Sequence, residues 1–243
     1  MKKYELTAEF IEKWGKKLFR IKALISFGSV EAGELGGYVE KEDNLAQNGN
    51  AWVYGNARVY GNAEVYGNAE VYGNAEVCGD ARVYGNARVY GNARVYGNAE
   101  VYGNAEVYGN AEVCGDARVY GNAEVCGDAR VYGNARVYGN AWVYGNAEVC
   151  GDAEVCGDAD YLLIGRIGSR FSFTTFFKNK DKGITVSCGC FLGTIAEFRA
   201  KVTDTHGNNK HAKIYNLAAD MAELQILGEE YFDKLNTNKS EPF

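Results

Sequence analysis

Between residues 51 and 158 the chain repeats one six-residue unit, Ala-x-Val-(Tyr/Cys)-Gly-(Asn/Asp), eighteen times without an insertion. The first unit is Ala51-Trp52-Val53-Tyr54-Gly55-Asn56 and the last is Ala153-Glu154-Val155-Cys156-Gly157-Asp158. A short fixed period specifies a solenoid, because one unit cannot bury its own apolar face and must stack on its neighbours. Ala and Val lie two apart, so on an extended strand they share a side. Ala57 and Val59 then face inward, and Arg58 and Tyr60 outward. Gly61 and Asn62 make the corner, both being residue types that tolerate positive φ. Glycine in every unit, with a period of two inside it, excludes a helix.

The charges give the number of units per coil. Like charges directly opposed in a parallel stack are unfavourable. Charged positions six residues apart form six opposite pairs and nine like pairs, whereas eighteen apart they form eleven opposite and two like. The two exceptions are Glu106 with Glu124 and Arg118 with Arg136. Three hexads per coil follow, giving a three-sided prism of about six coils with strands ~4.8 Å apart.

An aliphatic residue, an Asn or Asp three positions on, and a small residue after that resembles the hexapeptide-repeat family. The resemblance implies a left-handed parallel β-helix; the general crossover rule favours the other hand. The chain departs from the family after Val, where it places thirteen Tyr and five Cys. These fall into three outward columns, and tyrosines in register gain about 0.5–1.5 kcal/mol per good ring pair. Tyr always travels with Asn and Cys with Asp, a pairing that copying of two ancestral units explains.

The flanks read as smaller modules, residues 1–50 and 161–243 around a solenoid of 51–160. In the first, Lys17 to Ile25 alternates as a strand, Thr7 to Trp14 is a short helix or a second strand, and Leu45 to Asn50 is a worn hexad. This β module is placed to cap an open end of the stack, whose strand edges need cover. In the C-terminal α+β module, Tyr161 to Ile164, Arg170 to Phe177 and Gly183 to Cys188 read as strands. Thr194 and Glu197 form a capping box that opens a helix reaching Thr205. A second helix, from Asn209 to Leu227, is expected to bury Ile214, Leu217, Ala218, Met221 and Leu224. A frayed polar tail is expected from Glu229 to Phe243.

Net charge is −6, with the acid excess in the hexad block. No segment concentrates the basic charge that a phosphate backbone requires, which argues against nucleic acid. Met1 to Thr7 leads into no apolar signal-like run, and no segment has the length of a membrane span. Seven cysteines without secretion suit a reducing cytoplasm.

Cys188, Cys190, His206 and His211 are the residues that offer metal-ligand chemistry, but Cys-x-Cys on one strand is a poor chelate. No metal or other cofactor is expected. Leu35-Gly36-Gly37-Tyr38-Val39-Glu40, Val186-Ser187-Cys188-Gly189-Cys190-Phe191 and Thr205-His206-Gly207-Asn208 resemble a family found in bacteriophages and mobile elements of gut bacteria, often labelled putative transferase. That resemblance implies a protein of the bacterial cytoplasm and supplies no activity. Hexapeptide acyltransferases, as their family implies, use histidines projecting from the coils and an interrupting loop; this chain has just His206 and His211, outside the coils. The expectation is therefore a non-enzymatic scaffold or binding protein whose partner is a protein, itself or a host's. A transferase and a sponge for host signalling molecules are the alternatives. Trp52 and Trp142 share an outward column with Arg88, which marks that face for homo-oligomer or partner contact.

Overall fold

The computed structural model describes residues 2–228. Each hexad contributes a two-residue strand at its x-Val positions, such as Arg58–Val59 and Glu76–Val77. The strands pair in parallel at the eighteen-residue spacing, Arg58 opposite Glu76 and Glu76 opposite Arg94. Three sheets therefore run along the rod. Every Ala and Val of the block is buried in the lumen. A fully buried Val is worth about 1.5–3 kcal/mol, so the stack rather than any one unit supplies stability. The two like-charge rungs, Glu106–Glu124 and Arg118–Arg136, occur as the register requires.

Gly alone supplies the left-handed backbone at the corner. Gly61 sits at φ +74°, and a Cβ there would lie 3.0 Å from the carbonyl oxygen of Gly79 in the next coil. Asn62 does not share this conformation, contrary to the expectation from sequence. The asparagines serve a different purpose: most of their amides donate to the side-chain oxygen one coil on. Asn50, Asn68, Asn86, Asn104, Asn122 and Asn140 form one such line, with separations of 3.0–3.1 Å. On another edge Asn62, Asn98 and Asn134 donate to Asp80, Asp116 and Asp152, and an ionised carboxylate cannot pass the chain on.

The N-terminal residues add to the rod as well as closing it. Strands β1 (Tyr4–Lys13) and β2 (Lys16–Ala23) form a hairpin turned by Trp14 and Gly15, both at positive φ. Strand β3 (Leu35–Val39) pairs antiparallel with β2 on one side and parallel with Arg58–Val59 on the other. Leu45 bridges to Val65 and Asn50 donates to Gly67, so the worn hexad does occupy a coil position. The solenoid thus reaches about seven turns rather than six, because β3 and Leu45 add a coil.

At the other end Tyr161–Ile167, Ser172–Lys178, Ile184–Cys188 and Phe191–Thr194 form a four-stranded antiparallel meander. The fourth strand lies beyond the three that the sequence predicts; it is short and separated from the third only by Gly189-Cys190. Consecutive side chains leave a strand on opposite faces. Phe177 accordingly packs with the lumen core, while Phe176 enters a separate core beneath the helices. Tyr161 donates to the Trp142 carbonyl (2.7 Å), Glu148 N–H to Thr175 (3.1 Å), and Lys180 pairs with Asp152 (2.8 Å). These bonds occupy groups that the last coil would leave open.

Helices α1 (Ile195–His206) and α2 (Lys210–Leu227) pack on this sheet. The Thr194–Glu197 capping box is present, with Glu197 N–H donating to Thr194 and Thr194 N–H to Glu197. The buried face of α2 differs from the expected one. Ala212, Tyr215, Ala218, Ala219, Ala222 and Ile226 face inward, whereas Ile214, Leu217, Met221 and Leu224 are 39, 63, 57 and 43% exposed. The helix is apolar on two sides, and its alanine side permits the closer approach. Glu223, also buried, is held by Arg199 at 2.7 Å, and the same guanidinium reaches Asp220 at 2.6 Å. The segment 229–243 lies outside the described residues.

Candidate functional site

Two kinds of surface carry recognisable chemistry, the ladders of the solenoid and a cleft in the C-terminal module. On one edge Tyr66, Tyr84, Tyr102, Tyr120 and Tyr138 stack with ring centroids 4.8–5.1 Å apart. Tyr72, Tyr90 and Tyr108 stack likewise at 4.7 and 4.9 Å. The third column alternates, Tyr60, Cys78, Tyr96, Cys114, Tyr132 and Cys150, and has no ring ladder. Many hydroxyls donate to a glutamate of the next coil, Tyr90 to Glu106 (2.8 Å) and Tyr108 to Glu124 (2.9 Å) among them. The like rung Glu106–Glu124 is thereby supplied with donors, and Arg88 adds another at 3.2 Å from Glu106. Arg118 and Arg136 have Glu100 and Glu154 on their outer sides at 3.7 and 3.5 Å. Exposed pairs of this kind contribute about 0–1 kcal/mol each and chiefly fix register.

Burial, and then the Glu100 carboxylate, push the Tyr84 phenol up to about 12. Burial raises Tyr90 as well, helped by its bond to Glu106. Burial also raises the thiols of Cys78 and Cys150, which disfavours the nucleophilic thiolate. A phenol whose folded pKa exceeds its unfolded value of ~10 contributes stability below that pH and loses it as pH rises through the folded value. The tyrosines' contribution to stability is therefore expected to be constant up to pH ~10 and to fall steeply towards pH ~12. Chemical denaturation across that window, read with phenolate absorbance, checks this: phenols ionising before unfolding would contradict it.

The expected Trp52–Trp142–Arg88 face does not hold together. Trp52 is 0% exposed, covered by Phe27 (5.3 Å between ring centroids) and Tyr4 (6.0 Å) from the N-terminal strands and loop. Lys3 closes the same corner by donating to the Ala51 carbonyl at 2.8 Å, and burial lowers its pKa to about 8. Arg88 is exposed and pairs with Glu70 at 3.5 Å as well as with Glu106. Trp142 stays 46% exposed, its indole N–H 3.2 Å from the Cys126 sulfur. It lines a shallow hollow with Tyr144 and Gln225.

Cys188, Cys190 and His206 do come together, around a cleft of about 230 Å³ between the sheet and α1. Cys188 accepts from the Thr174 hydroxyl at 3.1 Å. His206 stacks on Tyr215 (5.7 Å), and His211 lies beside His206 at 5.8 Å, its buried Nδ1 without a hydrogen-bond partner. Among the described residues, no three His, Cys, Asp or Glu side chains converge as a metal site would need. Tyr215 and Arg170, which also line the cleft, carried no motif in the sequence. Gly168, at φ +73°, leaves the space that the Tyr215 hydroxyl occupies.

A family model described as the YdcK beta solenoid repeat matches residues 51–67, 75–91, 81–97, 87–103 and 129–145. The repeat block is similar to YdcK β-solenoid repeats. All five matches lie inside the hexads, and none reaches the flanking modules. No curated protein matches the chain. The likeness and the parallel stack together make this a mainly β, β-solenoid repeat protein with two C-terminal helices and an antiparallel sheet. No described helix is long and apolar enough to cross a membrane.

Proposed function

We propose that the protein is a non-enzymatic scaffold that self-associates through α2, with the solenoid as a rigid spacer. The observation that carries this is the exposed line Ile214, Leu217, Met221 and Leu224. Their 3-4-3 spacing is the a/d pattern of a two-helix seam. Two copies of α2 laid antiparallel bring Ile214 against Leu224 and Leu217 against Met221, so a second copy of this chain is the partner of matching shape. Gln225, next to Leu224, lines the hollow beside Trp142 and Tyr144, which extends the apolar surface onto the rod. The ladders support the spacer reading, since their charges and hydroxyls are largely engaged with one another. The phage or prophage setting and the bacterial cytoplasm, which the flanks' resemblance implies, belong to the same proposal.

Sedimentation velocity over a concentration series tests it. The parent chain is expected as a dimer, and Leu217→Glu with Met221→Glu as a monomer of unchanged circular dichroism. A parent chain that stays monomeric, or a dimer that survives both substitutions, ends this reading.

A further inference from the structure

The cleft of the C-terminal module has a composition unlike the rest of the surface. Its floor is apolar, built from Phe191, Phe198 and Val202 with the Tyr215 ring. Phe198 meets Phe191 and Tyr215 at 5.6 Å in each case, so the floor is fixed by mutually packed rings. Its rim carries Arg170 and Lys201 together with the hydroxyls of Ser169 and Thr205. Among the described residues no carboxylate lines it. Along the solenoid, arginines sit beside glutamates as the ladders require. Arg170 is in no ion pair among the described residues, and Lys201 has only exposed Asp204, one turn along at 3.3 Å. An exposed pair of that kind exchanges readily for a better partner.

We infer that this cleft binds a small amphipathic anion, an aryl carboxylate whose ring lies on Phe198, Val202 and Tyr215. Its carboxylate meets Arg170 and Lys201 at the rim. A concave apolar site with a few convergent polar groups is the usual form of a small-molecule pocket. Charge-assisted bonds from a guanidinium favour a planar carboxylate, and the aromatic floor selects against small inorganic anions. Cys188 and Cys190 border the same space, so a bound ring screens them from solvent. The inference is independent of self-association, because the exposed line on α2 lies on the side of that helix away from Tyr215.

The test uses the full chain with 2-naphthoate as probe and 2-naphthamide as its uncharged counterpart, by isothermal titration. Naphthoate is expected to bind at least about tenfold more tightly than the amide, since a charged hydrogen bond contributes ~1.5–3 kcal/mol. Arg170→Glu with Lys201→Glu is expected to remove that preference; both side chains are exposed, so the melting curve should not move. Residue-resolved alkylation of the unaltered chain gives a second readout. Naphthoate should slow iodoacetamide at Cys190 and Cys188 while leaving exposed Cys156 of the solenoid unaffected. Equal affinity for acid and amide, no binding of the acid, an unchanged preference after charge reversal, or labelling of Cys188 and Cys190 that naphthoate does not slow would each overturn the assignment.

Discussion

Trp52→Ala is expected to destabilise the protein by about 3–5 kcal/mol, as large-to-small changes at buried aromatics do. Trp142→Ala, at the equivalent place in the same column, is expected to change stability by no more than about 0.5–1 kcal/mol. The two residues sit in identical repeat contexts, Ala-Trp-Val-Tyr-Gly-Asn, so any difference comes from what covers them. Trp52 fills the space between Tyr4, Phe27 and the first coil, and no solvent-facing side chain can replace it there. Urea unfolding of the two variants, followed by circular dichroism, measures the contrast. Equal losses would mean that the N-terminal strands do not cover that corner.

Val107→Asp should be more damaging still. The lumen offers an ionised group only Ala, Val and backbone already committed to the ladders. Removing a carboxylate from water without a partner costs several kcal/mol even after relaxation. The loss of the Val side chain adds about 1.5–3 kcal/mol. Because a solenoid is stabilised by nearest-neighbour contacts, the damage should centre on the coils that touch Val107 and fade towards the ends. Hydrogen exchange should therefore rise first at Val89 and Val125, the rungs directly above and below. Uniform loss of protection along the rod would show that it unfolds as a single unit.

Much of the rod was legible because its constraints are local and repeated. Alternation of Ala and Val set the inward face, and the sign of Arg and Glu set the register to eighteen residues. The repeat could not reveal what Asn62 and its equivalents do, since tolerance of positive φ and amide laddering select the same residue. The burial of Trp52 depends on Tyr4 and Phe27, which are far away in sequence and lie on no repeat. On α2 two apolar stripes compete, and hydrophobic bulk favoured Ile214, Leu217, Met221 and Leu224. The alanine side wins because small side chains let the helix approach the sheet closely, with Tyr215 filling the remaining gap. Cys188, Cys190 and His206 were singled out for their chemistry and do share one cleft. Arg170 and Tyr215 complete it from segments whose proximity only the folded meander creates.

The amide lines along the prism edges also govern how such a rod can grow. The asparagine amides that form these lines all donate in the same sense, and most charged rungs answer the rung eighteen residues away. A duplication of two complete circuits keeps all three edges and the alternation of charge in step and lengthens the molecule by ~9.6 Å, whereas copying one circuit sets each charge against its own twin. Gain of a single hexad instead re-pairs the rungs that span it and turns every later coil, with the C-terminal module, by one face of the prism. Length in this lineage should thus vary in pairs of circuits, with both end caps keeping the same relative facing.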